Sequence, residues 1–218
     1  MATVHTSFVE AVPYLRPGTA ALKRAFDLIV GFALLIVISP ALLALMAAIA
    51  IESPGNPIFV QQRLGQHGRR FRLYKLRTMV PDAERRRAEV EHLNESKPPL
   101  FKARNDPRLT RLGRFLRASS LDELPQLVNV VRGEMSIVGP RPRLPHEFEA
   151  VIDRPDIVRR MTAKPGLAGF WQVSGRADNN FDEALALDLY YVDHWSFWFD
   201  VKLMFHTFWV VVTGHGAY

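Results

Sequence analysis

One apolar run, Phe26 to Ile51 (FDLIVGFALLIVISPALLALMAAIAI), constrains this chain more than any other stretch. A bilayer-crossing helix needs roughly 17–25 such residues, so the run has a membrane length. It is also longer than the roughly 7–15-residue core of a signal peptide, and a turn-like Glu52-Ser-Pro-Gly-Asn-Pro57 follows it where a cleavage site would stand. Two features do not suit a straight crossing. Ser39-Pro40 stands near the middle, and proline removes a helical hydrogen bond and crowds the preceding turn. Basic residues flank both ends, with Lys23 and Arg24 before the run and Arg63, Arg69, Arg70, Arg72, Lys75 and Arg77 after it. Basic flanks favour the cytoplasmic side, so a single crossing violates that bias at one end, whereas a re-entrant hairpin turning at Pro40 satisfies both. A kinked single-pass helix is the alternative, and charge alone does not decide between them. The Ser39 hydroxyl is placed to cover backbone polarity that the proline frees.

The chain carries 28 Lys and Arg against 22 Asp and Glu, a formal charge of +6. Such a chain prefers anionic partners, and the apolar run points to lipid headgroups and phosphorylated substrates, with no nucleic acid. There is no cysteine, which excludes disulfides, thiolate catalysis and Cys-based metal sites. Three regions follow: an N-terminal arm over 1–20, a re-entrant membrane helix over 21–52 and a cytosolic catalytic domain over 53–218. The fold class expected is α/β, membrane-associated and mainly helical, with a small β-hairpin and interfacial amphipathic helices. The hairpin is Pro57–Gln62 and Phe71–Met79 joined by Gly65-Gln-His-Gly68. Asp82 to Leu93 is charged throughout and reads as a solvent-facing helix. Arg108, Arg111, Arg114 and Arg117 recur every third residue, a spacing that lines one helix face with guanidinium groups, either a solvated face or a phosphate-facing one. Phe181 to Val212 is helix-like and rich in aromatics, including Tyr190, Tyr191, Trp195, Trp198 and Trp209. These suit a membrane interface, or a buried helix pair.

The densest polar cluster is Arg114-Phe-Leu-Arg117-Ala-Ser-Ser-Leu-Asp122-Glu123-Leu-Pro-Gln126. Ser120-x-x-Glu123 fits a capping box, and on local features alone capping is the stronger reading. Adjacent carboxylates on a helix point about 100° apart and cannot face each other across a glycosidic bond. They can divide labour: one attacks phosphorus or binds a metal, and the other orients or takes a proton. Arg114, Arg117 and Arg141 are then available to neutralise phosphate.

These residues resemble the bacterial sugar transferase family, the monotopic phosphoglycosyl transferases. The matching stretches are Lys23-Arg24-x-x-Asp27 with Ser39-Pro40, Pro57-Ile-Phe-Val-Gln-Gln-Arg-x-Gly65, Tyr74-Lys-Leu-Arg-Thr-Met79, and Leu112-Gly-x-Phe-Leu-Arg117 running on to Leu127. Met135-Ser-Ile-Val-Gly-Pro-Arg-Pro142, Lys164-Pro-Gly through Gln172-Val-Ser-Gly-Arg176 and a terminal Tyr-Tyr-Val-x-x-Trp-Ser complete the set. The resemblance covers roughly Leu22 to Val212. It implies transfer of a sugar 1-phosphate from a UDP-sugar to a polyprenyl (undecaprenyl) phosphate at the bacterial inner membrane, starting exopolysaccharide or surface glycan synthesis. It implies Asp122 as nucleophile, Glu123 as its partner, and Mg2+ held by Asp122 and Glu123. Arg117, Arg141, Arg176, Arg114 and Lys75 are the implied phosphate contacts, and a hairpin breaking at Ser39 and Pro40 settles the topology for re-entry. Phe170 before Trp171 departs from the family pattern. Direct displacement by the acceptor, or a non-catalytic basic membrane module, are the competing readings. The sugar, the polymer and a homodimer are left open.

Overall fold

The computed structural model describes residues 15–95, 103, 105–148, 151–174 and 181–213. Helix α1 (Pro17–Glu52) opens on a proline in its first turn, where a missing N–H costs nothing. It therefore starts inside the stretch expected as an arm. Thirty-six residues of helix run through Pro40, so the Ser39–Pro40 step expected as a break lies inside one helical element. The local chemistry explains the tolerance. Pro40 cannot donate to the carbonyl of Ile36, and the Ser39 hydroxyl donates to that same oxygen at 2.8 Å instead.

Both ends of α1 are fixed to the rest of the protein. Near its start, Lys23 Nζ donates to Val138 O and to a carboxylate oxygen of Asp200, both buried. Arg24 donates to the carbonyls of Val130 and Val131 at 2.7 and 2.8 Å. Asp27 accepts from the Ser136 hydroxyl and the Ile137 N–H. Near its end, Ile49 packs with Leu76 and Leu116, and Glu52 accepts from Leu112 N at 3.1 Å. The Arg77 guanidinium holds the carbonyls of Ser53 and Pro54 just beyond. Between these anchors Val30, Leu35 and Ile38 lean on the main core, while Ile29, Phe32, Ile36, Val37 and Leu43 stay exposed, Val37 at 75%.

Strands β1 (Ile58–Leu64) and β2 (Arg70–Leu76) form the expected antiparallel hairpin, with Phe59 opposite Lys75. Asp82 to Leu93 does not form the expected α-helix. It runs through turns into a 3₁₀ segment, Ala88–Leu93. Only Ala83 and Val90 are buried there, too few for the apolar stripe that holds an α-helix against a core. Helices α2 (Arg111–Ala118) and α3 (Gln126–Arg132) flank the acidic pair. The arginine row is broken by the same rule of burial. Arg108 lies before α2, buried and paired with Asp106 at 2.6 Å, while Arg111 and Arg114 face solvent.

Strand β3 (Ser136–Val138) pairs in parallel with β4 (Gly166–Ala168). A Cβ on Gly166 would lie 2.0 Å from Gly139 N, so only glycine permits this approach. Short helices α4 (Pro145–Phe148), α5 (Pro155–Arg160) and α6 (Phe170–Val173) connect to α7 (Phe181–Asp193) and α8 (Phe197–Thr213). The aromatic tail divides. Tyr191 is a core residue whose hydroxyl donates to Asp200 at 2.8 Å and lies 3.0 Å from Val138 O. Trp195 donates to Asp200 at 3.0 Å. Trp198, Phe205, Phe208 and Trp209 are exposed instead, Trp198 at 76%.

Candidate active site

The site is built where α2 ends. Thr110 caps α2 by accepting from Gly113 N at 2.9 Å. Ser119 closes the helix, and Ser120 then turns with φ of 58°, a left-handed backbone uncommon outside glycine. That reversal launches a single 3₁₀ turn, Leu121–Glu123, which presents the two carboxylates. The capping box read from Ser120-x-x-Glu123 is not formed. The Ser120 side chain makes no cap hydrogen bond, because its backbone is left-handed, and the Glu123 carboxylate reaches Lys75 instead.

Lys75 comes from β2. Its ammonium lies 2.7 Å from Glu123 Oε1 and 3.9 Å from Asp122 Oδ2. Asn129 welds that strand to α3: its amide accepts from Tyr74 N at 3.2 Å and donates to Arg72 O at 2.7 Å. Arg117 Nε donates to Thr78 Oγ1 at 3.0 Å, which aims the last turn of α2 at the strand end. Arg141 follows β3 and lies 4.2 Å from the centre of the Trp171 ring.

The two carboxylates are driven apart in acidity. Burial pushes Asp122 up to about 6; its neighbour Glu123 adds to this, while Lys75 and Arg117 oppose it. Burial acts on Glu123 in the same sense, but Lys75, Arg141 and Arg63 outweigh it and hold this carboxyl below its ordinary range. Pairs split in this way take different roles. Asp122 is the more basic of the two carboxylates, and Glu123 is the one that stays ionised and pairs with Lys75. Oxygen donors of this kind also fit Mg2+, which takes one or two protein carboxylates and fills its shell with water and phosphate. Asp122 and Glu123 are the residues that would hold it.

Of the residues singled out from sequence, the structure therefore brings together Asp122, Glu123, Lys75, Arg117 and Arg141. Arg114 is exposed on α2 and enters none of the hydrogen bonds that build the site. Arg176 lies outside the described residues. Sequence reasoning missed Thr78, Asn129 and Arg63. Arg63 and Thr78 lie inside quoted motifs, whereas Asn129 gave no local signal.

The family model for bacterial sugar transferases matches residues 18–214. The chain belongs to the bacterial sugar transferase family. It is 42% identical over 205 residues to the undecaprenyl-phosphate galactose phosphotransferase of Salmonella typhimurium, covering 90% of this chain but 42% of that relative. The chain thus spans less than half the length of that protein. It is 37% identical to the exopolysaccharide production protein ExoY of Rhizobium meliloti, over 94% of this chain and 91% of the relative. The UDP-glucose:undecaprenyl-phosphate glucose-1-phosphate transferase of Caulobacter vibrioides is 38% identical, over 94% of this chain and 75% of the relative.

In this sugar transferase family member, Gly113 provides a test of how α2 is seated. A Cβ there would lie 1.9 Å from Thr78 O, too close for any side chain. Gly113→Ala should push α2 away from Thr78 and destabilise the protein by about 1–3 kcal/mol, the usual scale of overpacking. Thermal melts should show that loss. The Arg117–Thr78 hydrogen bond should be lost with it, and an unchanged melting temperature would show that α2 does not depend on this close approach.

Proposed function

We propose that this chain transfers a hexose 1-phosphate from a UDP-sugar to a polyprenyl phosphate through a covalent aspartyl intermediate. The observation that carries the reading is the split pair, basic Asp122 beside anionic Glu123, bridged by Lys75 and ringed by Arg117, Arg141 and Arg63. The names of the relatives supply the donor and acceptor classes. In the first step an Asp122 oxygen attacks the phosphorus that bears the sugar. The P–O bond to the nucleotide breaks, UMP leaves with that electron pair, and an acyl phosphate remains. In the second step a phosphate oxygen of the polyprenyl phosphate attacks the same phosphorus. The P–O bond to Asp122 breaks, the electron pair returns to the Asp122 carboxylate, and the polyprenyl diphosphate sugar departs. The arginines neutralise charge that builds on the phosphate oxygens, and Lys75 holds the two carboxylates in register. Mg2+, when bound, would shield the diphosphate and stabilise the leaving nucleotide.

Donor alone should therefore yield about one equivalent of UMP, with no lipid acceptor present. Strict dependence of UMP release on polyprenyl phosphate would favour direct displacement and overturn the covalent step. Attack requires ionised Asp122, whose pKa is raised to about 6. The donor half-reaction should be flat above neutrality and fall about tenfold per pH unit well below that value. Stopped-flow UMP release between pH 5 and 8 measures it.

The same proposal places the reaction at the cytoplasmic face of the inner membrane, with α1 entering the bilayer without crossing it. What supports this is the double attachment of α1. A crossing helix would put Lys23 and Glu52 on opposite sides, yet Asp200 and Leu112 of one polypeptide unit hold them. The exposed residues of α1 and α8 offer an apolar surface of the kind that meets lipid. Tags at Met1 and Tyr218 should be equally accessible from the cytoplasm, and opposite accessibility would sink the monotopic reading.

A further inference from the structure

The outer face of the β1–β2 hairpin carries a basic concavity that the transfer chemistry does not use. It holds about 350 Å³ and is lined by Gln62, Arg70, Arg72 and Tyr74 of the hairpin, with Arg132 and Glu134 from the end of α3. That volume lies at the low end of small-molecule sites, which run from about 300 to 1,000 Å³. Successive strand residues point to opposite faces, so Tyr74 turns away from the dyad that Lys75 meets. The concavity and the Asp122–Glu123 pair thus lie on opposite faces of β2.

Three arginines share this space with one carboxylate, and that carboxylate is engaged: Glu134 accepts from Asn129 Nδ2 at 2.7 Å. Arg132 is held in place, because its Nη1 donates to the Tyr74 hydroxyl at 2.6 Å and its guanidinium carbon lies 5.2 Å from the centre of that ring. Arg70 and Arg72 are exposed on one face of β2, about 7 Å apart along the strand. Leu64 and Gln62 stand opposite them on β1, so neither arginine has a cross-strand anion. Among the described residues neither forms an ion pair or a side-chain hydrogen bond. Like charges placed this close repel, and an anion between them relieves the repulsion.

The position along α1 decides which anion can reach them. Arg24 of α1 donates to the carbonyls of Val130 and Val131, the two residues before Arg132. The exposed apolar residues that follow Arg24 begin at Leu28 and Ile29, about 6–8 Å further along the helix axis. A headgroup layer is roughly 5–8 Å deep on each side of the hydrocarbon core. With α1 entering the bilayer, Arg132 stands at the depth of the lipid phosphates.

We propose that Arg70, Arg72 and Arg132 form a headgroup site for an anionic phospholipid, separate from the donor and acceptor positions at the dyad. The phosphodiester supplies the oxygen acceptors that the forked guanidinium donors lack in the protein. An anionic leaflet also draws basic side chains to its surface. The site rests on α1 entering the membrane and is independent of the transfer reaction.

The test uses the full chain in non-ionic detergent micelles, with bound molecules counted by native mass spectrometry. Dihexanoyl phosphatidylglycerol is the probe, dihexanoyl phosphatidylcholine the neutral counterpart and glycerophosphoglycerol the soluble headgroup. The wild type should take up one phosphatidylglycerol at least about tenfold more tightly than phosphatidylcholine. Arg70→Gln/Arg72→Gln should lose on the order of tenfold in that affinity. Its melting temperature without lipid should not fall, since neither side chain holds a bond in the fold. Arg132→Gln, from a different element, should weaken the same binding. Arg85→Gln/Arg111→Gln removes equal charge from other exposed positions and should leave it unchanged. An equal loss in that control, no preference for phosphatidylglycerol in the wild type, or equally tight binding of glycerophosphoglycerol overturns the proposal. Should the hairpin variant fail to fold, Arg132→Gln alone carries the same readout. If donor alone releases no UMP while the Arg72-dependent preference persists, the transfer reading falls and the headgroup site stands.

Discussion

Asp122→Asn is expected to abolish UMP release from the donor and, at neutral pH, to melt at a higher temperature than the wild type. The first half follows from the chemistry: an amide oxygen cannot form the acyl phosphate, and losing a nucleophile costs at least about 10³-fold in rate. The second half follows from linkage. Asp122 is 8% exposed and its folded pKa is raised from 3.8 to about 6. Folding therefore carries a penalty that is absent at low pH, grows between those two values and is complete above them. Asn has no charge to bury, so the penalty is relieved; it also loses the attraction of Lys75, which offsets part of the gain. The net effect should be on the order of 1–3 kcal/mol at pH 7.5, worth roughly 2–4 °C per kcal/mol in a chain of this size. Melts of metal-free wild type and variant at pH 7.5 and pH 4 test this directly. The gain should shrink at pH 4, and a variant less stable at pH 7.5 would contradict the assigned burial. Such a gain is the trade between activity and stability that the proposed chemistry implies, since it asks for a buried carboxylate.

The second large effect lies at the root of α1. Lys23 and Asp200 form an ion pair with side chains 5% and 1% exposed, and Tyr191 and Trp195 donate to the same carboxylate. Lys23→Met removes one partner and leaves Asp200 charged in the interior. Breaking a buried pair in this way costs about 3–5 kcal/mol. The double variant Lys23→Met/Asp200→Asn should be clearly more stable than the single one, because no uncompensated charge remains. Equilibrium denaturation of wild type, both singles and the double closes the cycle. Additive losses would show that the two residues contribute separately and that the pair is not what fastens the helix.

Much of this was legible in the residues because it is local. Glycines at 65 and 68 with β-leaning flanks announced the hairpin, and the Ser39 hydroxyl covers backbone polarity freed by Pro40 as expected, although the break expected at that step lies inside one helix. The acidic pair stood out in the sequence, but its local geometry did not. The capping pattern of Ser120 and Glu123 describes what that stretch would do as an isolated helix. Lys75, 48 residues earlier, pulls the glutamate into a different bond. Arg108 was misplaced for a similar reason: a three-residue spacing cannot register a buried pair with Asp106. Tyr191 has the composition of an interfacial residue, yet Asp200 and Val138 fix it in the core. Arg63 reaches Pro142 across 79 positions, a proximity that no window along the chain contains.

The left-handed turn at Ser120 also sets a rule for anyone redesigning this protein. A residue with φ of 58° sits two positions before Asp122 and opens the turn that carries it. Glycine or asparagine adopts that backbone readily, whereas valine, isoleucine and threonine resist it at a cost of about 1–2 kcal/mol. A library that varies position 120 therefore samples dyad orientation as well as side-chain identity. β-branched choices would unwind the very turn that presents Asp122, however well they suit the helix before it.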